Sequence, residues 1–177
     1  MMKRLILGAL VMSSGVSAMP GMGNGMPQNT PGANPHGAMP LETAELTGVL
    51  TSQQLIFEMI PMGREYLAYQ VNQQAMAPIK AVNEPVEILA VLGTWDSTSQ
   101  QQVPRMMKIL KLAENSNISA RYIGVDKKGS AGDPELLEGV QVLAFPTFIV
   151  RKEGKEIGRI EGAPDTGLEQ ALVDILK

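Results

Sequence analysis

Residues 86–113 read VEILAVLGTWDSTSQQQVPRMMKILKLA. Val86 to Leu92 is a short apolar run rich in branched side chains, the pattern of a strand covered on both faces. Gly93 and Thr94 turn the chain. From Asp96 the period changes, with Val103, Met106, Met107, Leu110 and Ala113 at i, i+3, i+4, i+7 and i+10. That is one apolar stripe on a helix. Asp96, or one of Ser97, Thr98 and Ser99, is suited to accept the orphan N–H groups at its start. Pro104 falls in or near the first turns and predicts a kink.

Downstream, Ser119–Val125 reads as a second strand and Gly139–Ala144 approaches a turn. Thr147–Arg151 and Glu156–Ile160 flank Lys152-Glu153-Gly154-Lys155 as a hairpin. Pro164 and Asp165 open a last helix with Leu168, Leu172, Val173 and Leu176 on one face. The order is strand, helix, strand, short helix, strand, strand, helix. It predicts an α/β domain over residues 83–177, a central mixed four-stranded sheet flanked by helices.

Residues 44–82 read as a helical extension. Thr51-Ser52 caps a short helix through Leu55, Ile56 and Met59 that Pro61 ends. A second helix over 63–71 puts Leu67 and Val71 on one face, beside Tyr66 and Tyr69. A third, over 73–82, is interrupted by Pro78. The tyrosines read first as core packing.

Further upstream, Met1 to Ala18 has Lys3 and Arg4, then an apolar run from Leu5 to Met12, then Val16-Ser17-Ala18. This is the pattern of a cleaved signal peptide, and the apolar run is far short of the about 20 residues a membrane span needs. The expected product is exported, periplasmic or secreted, with no stable membrane insertion. Residues 19–43 are Pro/Gly/Met-rich, and residues 19–40 carry no charged side chain. Such a segment buries too little surface to offset its ordering entropy and reads as a disordered linker. Met22, Met26, His36 and Met39 are weak candidates for holding Cu(I), a soft ion that prefers sulfur.

Composition removes many functions. Net charge is −3, so no Lys/Arg surplus exists for nucleic acid, and aromatics are only 4% of residues. Cysteine is absent and His36 is the sole histidine. Disulfides, thiolate metal sites and cysteine nucleophiles are thereby excluded, and a Ser-His-Asp triad in the core is not expected. No cofactor is implied.

Across Val86 to Lys177 the chain resembles the thioredoxin-like superfamily. Five linked features carry the resemblance: Gly93-Thr94-Trp95 after an apolar strand, Pro104 nine residues beyond Trp95, Phe145-Pro146-Thr147 opening a strand, the Lys152-Glu153-Gly154 turn, and Gly162-Ala163 before the last helix. The stretch from Gly93 to Arg105 looks similar to exported bacterial thioredoxin-family proteins, some with a single active-site cysteine. The resemblance implies a thioredoxin-like fold with a cis bond before Pro146. It also implies a groove at Trp95, Asp96, Ser99, Phe145, Pro146 and Thr147 that holds an extended segment by strand-like hydrogen bonds.

The redox cysteine positions fall on Asp96 and Ser99, and the family's buried acid on Ala90. Thiol exchange requires a thiolate, so that activity is excluded. Asp96 reads first as a helix cap, favoured there by the helix dipole. Trp95 is the better candidate for partner contact, since aromatic anchors dominate many interfaces. The leading expectation is a non-redox module binding another exported protein or an extended peptide. The alternatives are copper handling by the neck, or a small-thiol-binding enzyme at Ser97 and Ser99, which would lack a general base.

Overall fold

The computed structural model describes residues 45–177. The expected signal peptide (1–18) and linker (19–43), and the candidate copper ligands Met22, Met26, His36 and Met39, lie outside the described residues. Among the described residues the sheet has five strands, one more than expected, in the order β1-β3-β2-β4-β5. These are β1 (Gly48–Leu50), β2 (Val86–Leu92), β3 (Ile118–Gly124), β4 (Thr147–Lys152) and β5 (Lys155–Glu161). β2 runs parallel to β3 and antiparallel to β4, while β1–β3 and β4–β5 are antiparallel. β1 corrects the reading of 44–82 as wholly helical. Three residues are too few to show a period of two, and Gly48 enters the strand at φ 87.

The helices are α1 (Ile60–Ala68), α2 (Met76–Lys80), α3 (Ser97–Ala113) and α4 (Leu168–Leu176). Two starts differ from expectation. Pro61 opens α1 instead of ending the preceding turn, because the missing N–H of proline costs nothing in the first turn. The preceding segment, Gln54–Glu58, is a π-helical turn. α4 begins at Leu168 after Gly167, beyond Pro164 and Asp165. Leu67, expected to share one face with Val71, is 77% exposed, whereas Val71 packs against the core.

The sheet is covered on both sides. One face carries Ile88, Ala90, Tyr122, Phe148 and Val150 against Val103, Met106 and Ile109 of α3 and Leu168 and Leu172 of α4. Leu55, Met59, Met62, Met76 and Ile79 of the extension complete the same core, so the extension is not a satellite. The other face carries Leu89, Val91, Ile123 and Ile149 under the connection that holds Val140, Val142 and Phe145. Alternation along β2 therefore serves two cores, which is why its sequence is continuously apolar.

Polar bonds fix the extension in place. Glu169, buried at the start of α4, accepts from the Tyr69 hydroxyl at 2.9 and 3.0 Å and from Asn72 N at 2.9 Å. Lys108 on α3 donates to the carbonyls of Leu67 and Tyr69, at 3.1 and 2.7 Å, the sort of capping that a helix C-terminus favours. Arg105 pairs with Glu65 at 2.6 Å and lies over the Tyr69 ring, 4.8 Å from its centroid.

Candidate functional site

The turn from β2 into α3 is built from its own side chains. Asp96 is the N-cap, extended at φ −89 and ψ 127, and its Oδ2 accepts from Ser99 N at 2.6 Å. This is the geometry that satisfies an orphan helix donor. Ser99 is 0% exposed, and its Oγ accepts from Gly93 N at 3.3 Å. It therefore does not line a surface groove, and it offers no hydroxyl to a small-thiol ligand. Ser97 stays exposed at the first helical position. Ala90, at the place of the family's acid, is buried between Tyr122 and Phe148 on the neighbouring strands.

Trp95 folds back over the turn. Its Nε1 donates to Val125 O at 3.0 Å, and Phe145 meets the indole edge-to-face, centroids 5.7 Å apart at 80°. Such aromatic pairs add about 0.5–1.5 kcal/mol beyond their area burial. Gly93 makes room for the indole: a Cβ there would stand 2.7 Å from Trp95 Cε2. Trp95 is half-buried.

The opposite wall comes from the chain entering β4. The Phe145–Pro146 peptide bond is cis. Pro146 and Thr147 are buried; Thr147 Oγ1 donates to Ala144 O at 2.7 Å, and Pro146 O accepts from Gly162 N at 2.7 Å. Among the described residues, neither the N–H nor the C=O of Phe145 has a hydrogen-bond partner. Leu143, two residues earlier, is 82% exposed. Sequence reasoning missed it, although an unshielded leucine between Val142 and Ala144 in a turn was a usable signal. Arg159 holds this connection, with Nη1 donating to Gln141 O at 2.8 Å.

The structure thus brings Trp95, Asp96, Phe145 and Pro146 to one place. Thr147 and Ser99 sit behind them as internal supports. No group of three or more His, Cys, Asp or Glu side chains among the described residues is placed to hold a metal ion. No helix there is long and apolar enough to cross a membrane.

No family model matches the sequence. Mitochondrial thioredoxin-3 of Saccharomyces cerevisiae is 27% identical over 88 residues, covering 50% of this chain and 64% of that protein. The match therefore spans just under two thirds of that relative. "Putative thioredoxin-5" of Dictyostelium discoideum is 31% identical over 94 residues, covering 53% of this chain and 85% of that protein. Among solved structures, an HIV epitope scaffold superposes with a TM-score of 0.53 at 15% identity, over 74% of this chain and 91% of that one. With β2, α3, β3, the β4–β5 hairpin and α4 in thioredoxin order around a sequence that has no cysteine, the chain belongs to the thioredoxin-like superfamily.

Proposed function

We propose that this chain is an exported, non-redox binding module that grips an extended segment of another exported protein beside Trp95 and Phe145. Thiol–disulfide exchange needs a thiolate, and the two positions where the family carries its cysteines hold Asp96 and Ser99. One observation carries the reading. Among the described residues, neither main-chain hydrogen-bonding group of Phe145 has a partner, next to a half-buried tryptophan and an exposed leucine. Unpaired main-chain groups at a strand entry are what a partner strand uses, and neighbouring apolar side chains supply selectivity. Asp96 is committed to capping and Ser99 is enclosed, so the recognition falls to Trp95, Leu143 and the Phe145 backbone.

The test is capture from periplasmic extract on the chain lacking residues 1–18. Wild type should retain a partner that both Trp95→Ala and Leu143→Asp lose. Leu143→Asp alters only an exposed side chain, so it leaves the fold intact. Equal recovery on all three proteins would sink the proposal.

A further inference from the structure

A cavity of about 310 Å³ opens between the extension and the core, well away from Phe145, which packs on the other face of the sheet. Its walls are mostly apolar, from Ile56 and Phe57 on one side and Met107 of α3 on the other. Tyr66, Tyr122 and Lys111 supply polar groups, with Ser52 and Gln53 also on its lining. Among the described residues, no acidic side chain lines it. This size is at the lower end of small-molecule sites, which combine apolar walls with a few convergent polar groups.

The polar groups are unspent. Tyr122 is only 7% exposed, yet its hydroxyl has no hydrogen-bond partner among the described residues, and neither has that of Tyr66. Neither hydroxyl is sealed from solvent, so both are left open on the cavity side. A buried phenol ordinarily finds an acceptor. Burial, helped by neighbouring Tyr66, pushes the Tyr122 phenol up to about 12, so it stays a proton donor at any physiological pH. Lys111 has no ion-pair partner among the described residues, whereas Lys108, one turn earlier, is committed to two carbonyls. The cavity therefore offers donors and a cation around an apolar hollow, and no acceptor that carries charge.

We propose that this cavity binds a small apolar carboxylate, with Lys111 and Tyr122 holding the head and Ile56, Phe57 and Met107 enclosing the body. The site is independent of the groove at Trp95. Octanoate is the probe and 1-octanol its uncharged counterpart, each titrated calorimetrically into the full chain. Octanoate should bind, and Lys111→Met should weaken it about tenfold, the scale of one charge-assisted hydrogen bond, while leaving 1-octanol unchanged. Phe57→Ala, a change at a side chain 80% exposed, should weaken both probes. Tyr122→Phe should weaken octanoate more than 1-octanol. Absence of octanoate binding overturns the proposal. So does equal affinity for the two probes, or octanoate affinity indifferent to both Lys111→Met and Phe57→Ala.

Discussion

The two ends of α3 solve opposite problems with similar material. At its N-terminus three polar side chains are consumed by neighbours: Asp96 by Ser99 N, Ser99 by Gly93 N, and Trp95 by Val125 O. Toward its C-terminus Lys111 stands beside two phenols that have no partner among the described residues. The end that carries chemistry in thioredoxins is here a closed turn. Asp96, Ser99 and Trp95 are spent on structure, while the Phe145 backbone has no partner among the described residues. The other end has instead kept its donors. Position in a family fold therefore does not say where a chain can still bind; the hydrogen-bond account does.

The sharpest way to break this comparison is Gly93→Ala. The new methyl would collide with the indole, so Trp95 must leave Val125 and Phe145. Overpacking of this kind costs about 1–3 kcal/mol. Trp95 is the sole tryptophan in the sequence, so its emission reports the displacement directly. A red shift with a lowered Tm is expected; unchanged emission would mean the turn is looser than described.

Two tyrosines sharpen it further. Tyr69→Phe takes a donor from the buried Glu169 carboxylate and should cost about 1–3 kcal/mol at neutral pH, measured by urea unfolding. Tyr122→Phe breaks no hydrogen bond and should cost much less. Alkali tests both. Each phenol is pushed up to about 12, Tyr69 chiefly by burial and then by its bond to Glu169, and Tyr122 chiefly by burial. The unfolded chain then loses these protons first, near 10, so their contribution is complete below pH 10 and is lost as pH climbs toward 12. Either Phe variant should flatten that decline. Wild-type stability that is level from pH 10 to 12 would contradict the burial of both rings.

A smaller effect is expected at the cap. Asp96→Ala should cost about 0.5–2 kcal/mol, while Asp96→Ser should recover most of it, because either side chain accepts from the helix start. If the two variants are equally destabilised, Asp96 does more than cap. The smallest effect belongs to Arg159→Ala. Its pairing with Glu156 at 2.6 Å holds that carboxyl below its ordinary range, but both side chains stay about a third exposed, where solvent screens the pair. Such pairs contribute about 0–1 kcal/mol. The loss should therefore be slight in unfolding, yet visible as faster amide exchange in the 140–144 connection once the bond to Gln141 O is gone.

Much of this architecture is legible in the sequence because two signals are local and strong. The apolar run of β2 and the stripe of α3 each repeat over several residues, and the hairpin is marked by Lys152-Glu153-Gly154-Lys155, where Glu153 and Gly154 both take positive φ. The errors fall where the deciding interaction is distant. β1 exists because β3 offers it an edge, and nothing within Gly48–Leu50 announces that. Pro61 stops or starts a helix depending on which side of it the helix packs. At the site, the cap role of Asp96 follows from its neighbours in sequence. The enclosure of Ser99 does not, because it depends on Gly93 donating across the turn. Leu143 was missed for the opposite reason: its importance lies in what fails to cover it.

The edge strand has a consequence for the order in which the chain assembles. β1 precedes every other strand in the described chain, but its partner residues, Tyr122 to Gly124, are made only after α3 is complete. During synthesis it therefore waits unpaired, and the other four strands can zip together without it. Once docked, the chain just before it packs so closely that at Gly124 no side chain fits beside Leu46 O. With three residues and one free edge, β1 is also the piece the sheet gives up first. Its amides should be the earliest strand amides to exchange with solvent. Opening there uncovers Tyr122, across from Leu50, and so links the fraying of the first strand to the floor of the cavity beside it.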